Sequence, residues 1–156
     1  MDALSQAALG RVFELNALLN DDMNRSFERD GLTPARAHLL WVLHQRGPST
    51  QKVLADELRV SPRNITGLVD GLEESALVAR RPHPTDRRAT LVGLTDEGAR
   101  LADDMARGQK ELADGLFGGL PESELAAFSA TLDRVVERLK QLMTEAYGAS
   151  EIEESR

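Results

Sequence analysis

The sequence predicts a mainly α-helical fold with one small β-hairpin: a winged helix-turn-helix flanked by long N- and C-terminal helices. Three observations predict it. Two short amphipathic segments, one carrying Val53, Leu54, Ala55 and Leu58 and one opening at Ser61-Pro62, are joined by only Arg59, Val60 and Ser61, the spacing of a helix-turn-helix. After Leu77 the helical period gives way to two apolar runs, 77–81 and 90–94, around the tip His83-Pro84-Thr85-Asp86-Arg87-Arg88, a hairpin with a charged end. At both ends of the chain, apolar residues recur every three or four positions over more than twenty residues.

The elements follow in order. Residues 3–29 form one long helix, with Leu4, Ala8, Val12, Leu15, Leu19 and Met23 in a stripe that Leu9, Phe13 and Leu18 widen; Gly31 ends it. A stripe this wide fits either an intramolecular core or a partner surface. Thr33 and Pro34 open the second helix as N-cap and first helical residue. It runs to about Gln45, and its apolar run Leu39–Leu43, with Trp41 read as core, makes it central. Val53, Leu54, Ala55 and Leu58 line the third helix. The fourth opens on Ser61-Pro62 and buries Ile65, Leu68, Val69 and Leu72. At 100° per residue, Arg63, Thr66, Gly67 and Asp70 face the other way, with Asn64 and Gly71 on a flank. Thr95 caps a fifth helix, whose regularity Gly108 and Gly115 weaken. Gly118-Gly119 breaks the chain, and Pro121 begins a last helix with a seam at Leu125, Phe128, Leu132, Val135, Leu139 and Leu142.

Composition excludes several classes of function. The 156 residues contain no cysteine, so disulfides, thiolate zinc sites and thiol redox switches are ruled out. His38 and His44 do not share a helix face, and no metal site or cofactor is expected. Phosphate-loop, nucleophile-elbow and His-Glu-x-x-His motifs are missing, so no enzyme is expected. Neither a signal peptide nor an apolar run long enough to span a membrane is present, which predicts a cytoplasmic protein without a membrane partner. The net charge of −7 argues against a polyanionic partner, but its distribution does not: residues 78–92 hold four arginines and one aspartate, while the acid is concentrated after residue 98.

Arg63, Asn64 and Thr66 thus stand at the start of a helix whose outer face is polar, and a recognition helix reads base edges mainly with its N-terminal residues. Arg suits guanine and Asn suits adenine. The candidate DNA-binding set is Thr50, Gln51, Ser61, Pro62, Arg63, Asn64 and Thr66, with the charged wing-tip arginines Arg87 and Arg88 beside it, and Ser61 and the Thr50-Gln51 helix start holding phosphates.

The stretch SPRNITGLVDGLEESALVARRPHPTDRRATLVGLTDEG resembles the MarR family of bacterial transcription regulators. The Ser-Pro-x-x-x-Thr-x-Leu-Val-Asp-x-Leu-Glu helix, the Asp-Arg-Arg tip and the Leu-Thr-Asp-Glu-Gly run carry the likeness, and the order of six helices and a wing extends it over most of the chain. The resemblance implies one domain over 1–148, with a DNA-binding lobe at 33–98, dimerisation helices at 1–30 and 99–147 that interlock between two copies, and an acidic tail at 149–156. It implies a homodimer on double-stranded DNA, most often a repressor of nearby genes, with Arg88 in the minor groove and Asp86 holding it. It also implies a small anionic or phenolic effector bound where the dimer helices meet the lobe, for which His38 and Trp41 are the candidate lining. Two departures stand out: Arg59 occupies a turn position where Gly or Asn is common, which calls for positive φ, and Gly67 replaces a longer polar side chain. The alternative is a winged-helix protein-interaction module that does not bind DNA, for which the acidic balance is the best support.

Overall fold

The computed structural model describes residues 2–147; the acidic tail at 149–156 lies outside them. The element order is α1 (Ala3–Arg29), α2 (Pro34–Arg46), β1 (Ser49–Thr50), α3 (Gln51–Leu58), α4 (Pro62–Glu74), β2 (Val78–Pro82), β3 (Thr90–Leu94), α5 (Asp96–Phe117) and α6 (Glu122–Tyr147). The chain forms two compact units, one up to Ala106 and one from Arg107 onward.

Short polar side chains start the helices of the first unit. Thr33, Thr50 and Ser61 each accept the backbone N–H three residues on, and Pro follows at the first helical position of α2 and α4, where its missing donor costs nothing. Thr95 does the same for α5, accepting from Gly98 N at 3.0 Å while its hydroxyl donates to Ala76 O at 2.6 Å. Gly98 is obligatory there, because a β-carbon would collide with the Leu77 carbonyl.

Three helices end in the same way. In α1, α3 and α4 the two N–H groups past the last turn bond back onto its carbonyls: Gly31 to Glu28 and Leu32 to Phe27, Arg59 to Asp56 and Val60 to Ala55, Ala76 to Glu73 and Leu77 to Leu72. This Schellman geometry needs a left-handed residue at its centre. Gly31 supplies it freely at φ 68°, whereas Arg59 at 53° and Ala76 at 57° adopt it with a side chain attached. The positive φ expected of Arg59 is present, and Ala76 shares it.

The core of this unit is aliphatic. Leu39, Leu40 and Leu43 of α2 pack with Leu54 of α3, Ile65, Val69 and Leu72 of α4, Val78 of β2 and Val92 of β3. Central α2 is covered on several sides, but Trp41 is a correction to the expected core: it is only half-buried, because a side chain so large is rarely enclosed by a small domain. Its ring lies 5.8 Å from that of His44. Val53 is also exposed. Gly71, expected on a polar flank, is buried because the Arg36 guanidinium lies over it in the space a side chain would need.

The predicted two-stranded hairpin is a three-stranded antiparallel sheet of order β1-β3-β2. β2 and β3 pair from Val78↔Leu94 to Pro82↔Thr90, and β1 adds Ser49↔Val92 and Thr50↔Leu91. Ser49 and Thr50, the second already the cap of α3, leave no alternation to recognise, so β1 has no sequence signal. Pro82 sits at the end of an edge strand, where a missing donor is tolerated.

Among the described residues, the apolar faces of α1 and α6 remain exposed. No residue of α1 is buried, and Leu4, Leu9, Val12, Phe13, Leu15, Leu18 and Met23 are exposed; Phe27 alone reaches toward the core. The intramolecular-core reading of that stripe therefore fails. On α6 the exposed set includes Phe128, Leu132, Val135, Leu139 and Leu142. α5 is continuous through Gly108 and Gly115. None of the helices among the described residues is long and apolar enough to cross a membrane.

The left-handed Ala76 yields a stability prediction. Ala76→Gly relieves the β-carbon clash at φ 57°, and should raise stability by about 0.5–1 kcal/mol in urea unfolding, net of the greater entropy glycine loses on folding. A loss of stability would show that the turn carries no strain.

Candidate nucleic-acid interface

The outer face of α4 presents its first turns to solvent. Arg63, Asn64, Thr66 and Gly67 are exposed, while Ile65, Val69 and Leu72 are buried on the opposite side. Among the described residues the Arg63 side chain has no hydrogen-bond or ion-pair partner, and neither does that of Asn64. Ser61 caps the helix by accepting from Asn64 N at 3.1 Å, which leaves its own O–H free to donate. Pro62 is exposed beside it, and its carbonyl accepts from Thr66. Thr50 likewise caps α3, accepting from Val53 N at 3.4 Å.

Thr66 and Gln51 are drawn together in a way the face alone did not suggest. Thr66 Oγ1 donates to Pro62 O at 2.9 Å and accepts from Gln51 Nε2 at 3.0 Å. The Gln51 oxygen in turn accepts from Arg80 Nε at 3.2 Å and Nη2 at 3.1 Å. Arg80 also pairs with Glu73 at 2.5 Å and Asp70 at 2.6 Å, and its backbone N–H donates to Glu73 Oε1 at 3.3 Å. One guanidinium therefore joins the root of the wing to both helices of the helix-turn-helix. Partial burial disfavours its charge, but the hydrogen bonds and ion pairs to Asp70 and Glu73 outweigh this and raise its pKa further above the ordinary value.

The wing tip is closed by its own side chains. His83 N donates to Ala89 O, and Ala89 N to Asp86 O, both at 3.1 Å. His83 Nδ1 accepts from Thr85 N at 3.2 Å and Asp86 N at 3.1 Å, which requires the Nε2–H tautomer. Asp86 Oδ1 accepts from Arg88 N at 2.9 Å. Asp86 thus holds Arg88 through its backbone amide and not through its guanidinium. Among the described residues, the Arg87 and Arg88 guanidiniums have no protein partner and are exposed. An open groove of about 520 Å³ between the start of α3 and the wing is lined by Thr50, Gln51, Lys52, Arg80, Ala89 and Thr90. His38 and Trp41 lie elsewhere, on α2, with His38 exposed.

Residues 32–90 match the MarR family. Over 123 residues the chain is 31% identical to the HTH-type transcriptional regulator MhqR of Bacillus subtilis (strain 168), spanning 79% of this chain and 85% of that protein. The chain belongs to the MarR family. The HTH-type transcriptional repressor MdtR of the same organism is 31% identical over 107 residues, 69% of each chain. The structure of S. aureus MepR in its DNA complex matches with a TM-score of 0.60 at 25% identity, covering 81% of this chain and 96% of that one. Streptococcus pneumoniae FabT in complex with DNA shares the fold, with a TM-score of 0.68 at 20% identity over 84% of this chain and 99% of that one.

Within this MarR-family chain, Arg80 and Lys52 are the residues that sequence reasoning missed. Lys52 is exposed on the first turn of α3, beside the groove. A signal for Arg80 existed. Asp70 and Glu73 are like charges three residues apart on one helix, a repulsive pair unless a cation lies opposite, and strand alternation puts Arg80 on the face of buried Val78. Among the described residues no group of three His, Asp or Glu side chains converges on a metal site.

The clamp has a measurable energy. Arg80→Gln should lower stability by roughly 1–2 kcal/mol, the scale of two charge-assisted contacts by a side chain that remains 26% exposed. A double-mutant cycle with Asp70→Asn should return a coupling of at least about 0.5 kcal/mol. Strict additivity would mean that the contact contributes nothing.

Proposed function

We propose that this chain is a sequence-specific DNA-binding transcription regulator that acts as a homodimer on a near-palindromic operator, most simply as a repressor. Its lobe at 33–98 docks on DNA, and its helices at 1–30 and 99–147 mediate association. The observation that carries this reading is the pairing of two unpartnered cationic groups on one block. Arg63 stands at the first turn of α4, and Arg87 and Arg88 stand on a tip whose backbone is already stapled. Asn64 joins Arg63 in the major groove, where every base pair is distinguishable. Arg88 enters the minor groove, where a narrow A·T-rich stretch attracts a guanidinium. The free Ser61 hydroxyl and the start of α3 at Thr50-Gln51 approach phosphates. Curated relatives named as repressors and the MepR and FabT complexes with DNA support the reading.

The uncovered stripes of α1 and α6 support the homodimer, because a two-fold pair is the commonest closed way to bury such surfaces. A protein-interaction module that does not bind DNA is the weaker alternative, since it leaves the wing arginines without a role. An anionic or phenolic effector belongs near His38 and Trp41; quenching of the single tryptophan on effector binding, altered by His38→Ala, is its test.

Selection of duplexes from a random pool should return a near-palindrome with half-sites about one helical turn apart, bound by two chains as judged from sedimentation mass. On that operator the two arginines should fail differently. Arg88→Ala should cost roughly 1–3 kcal/mol on every good site and flatten the salt dependence by about one charge. Arg63→Ala should cost about as much on the preferred site but far less where the base it reads is already changed. Asp86→Ala should reproduce part of the Arg88 loss, because an untethered tip loses more entropy on docking. If the pool returned no sequence, or Arg63→Ala lost the same affinity on every variant operator, the major-groove assignment of α4 would be abandoned.

A further inference from the structure

We infer that Thr66 reads DNA through its methyl group, selecting a thymine, and that the Arg80–Gln51 relay holds it in that role. The inference rests on the proposed docking of α4 in the major groove. Thr66 is exposed on the outer face of that helix, yet its hydroxyl is occupied. The single hydroxyl proton goes to Pro62 O at 2.9 Å, and Gln51 Nε2 donates to the oxygen at 3.0 Å. No proton remains for the N7 and carbonyl acceptors on the major-groove edges of purines and thymine.

The orientation of Gln51 is not arbitrary. Two N–H groups of Arg80 point at its oxygen, at 3.2 and 3.1 Å, so its amide nitrogen must face Thr66. Arg80 is itself fixed by Asp70 and Glu73. Besides one remaining acceptor lone pair, position 66 offers its γ-methyl. Thymine alone carries an apolar group, the C5-methyl, in the major groove. Gly67 follows with no side chain and open space where a β-carbon would stand, so a base can come close to the helix at this point. The helix therefore has a polar reading end at Arg63 and Asn64 and an apolar reading point one turn on.

The experiment compares Thr66→Val, which keeps the shape and the γ-methyl and replaces the hydroxyl by a second methyl, with Thr66→Ser, which keeps the hydroxyl and loses the methyl. Both are surface changes at an exposed site, and circular dichroism with thermal unfolding checks that each variant folds. Binding is titrated on the operator selected by the wild type and on copies in which each thymine in turn is deoxyuridine, which lacks only the methyl. Thr66→Val should keep the wild type's deoxyuridine penalty at one thymine position, whatever the loss of the Gln51 contact costs in overall affinity. Thr66→Ser should lose about fourfold per half-site, the scale of one buried methyl. One deoxyuridine position should cost the wild type a similar factor and cost Thr66→Ser nothing more. A deoxyuridine penalty lost with Val and kept with Ser would overturn the inference in favour of a hydroxyl contact, and the absence of any deoxyuridine penalty for the wild type would overturn it outright. Failure of the wild type to select any sequence would instead overturn the DNA reading beneath it.

Discussion

A single guanidinium makes the reading surface one body. The wing is an edge hairpin, and a hairpin on its own is only marginally stable in water. α3 is eight residues long, also too short to persist alone. Arg80 at the root of the wing donates to Gln51 on α3 and to Asp70 and Glu73 on α4. Glu73 accepts the Arg80 amide as well, filling an open hydrogen-bond position of the edge strand. Below this polar clamp, Val78 and Val92 join the leucines of α2 and α4 in the core. Apolar packing fixes how far apart the sheet and helices lie, and the clamp fixes how they are turned toward each other.

The clamp also explains how an acidic protein can present a face to a polyanion. Asp70 and Glu73 stand on the recognition helix itself, where uncompensated carboxylates would oppose docking. Arg80 offsets one of these two negative charges at contact distance. Arg63, Arg87 and Arg88 are left as uncompensated charges on the same lobe. The net charge of −7 reflects mainly acid beyond residue 98, and its effect on this face is screened over about 10 Å at ordinary ionic strength.

The fold was legible where a local rule has few competitors. Thr33-Pro34 and Ser61-Pro62 marked helix starts because an N-cap hydroxyl followed by proline suits little else, and Gly31 marked an end. β1 was not legible, since two polar residues form a strand only because β3 is there to pair with. Trp41 and Gly71 were misread because periodicity predicts a direction but not what fills it: an indole too large to enclose in one case, the Arg36 side chain in the other. The candidate site divided along the same line. The positions of Arg63, Asn64 and the wing tip followed from helical phase and the hairpin pattern. The engagement of Thr66 with Gln51, and of Gln51 with Arg80, joins residues 15 and 29 positions apart, and no sequence window contains it.

The two levels of structure meet in the arithmetic of symmetry. In the proposed homodimer, which would cover the stripes on α1 and α6, a two-fold pair applies each proposed reading contact once per half-site. Contacts that far apart share no partners, so their free energies add and their affinity ratios multiply. A methyl contact of about fourfold at one half-site becomes about sixteenfold on a full operator. On the docking inferred above, a small side chain such as Thr66 therefore matters to operator choice although its single contact is weak. The same multiplication penalises any looseness between α4 and the wing, because a misplaced helix is misplaced in both halves. This makes the precision supplied by Arg80 more important to a dimer than it would be to a single lobe.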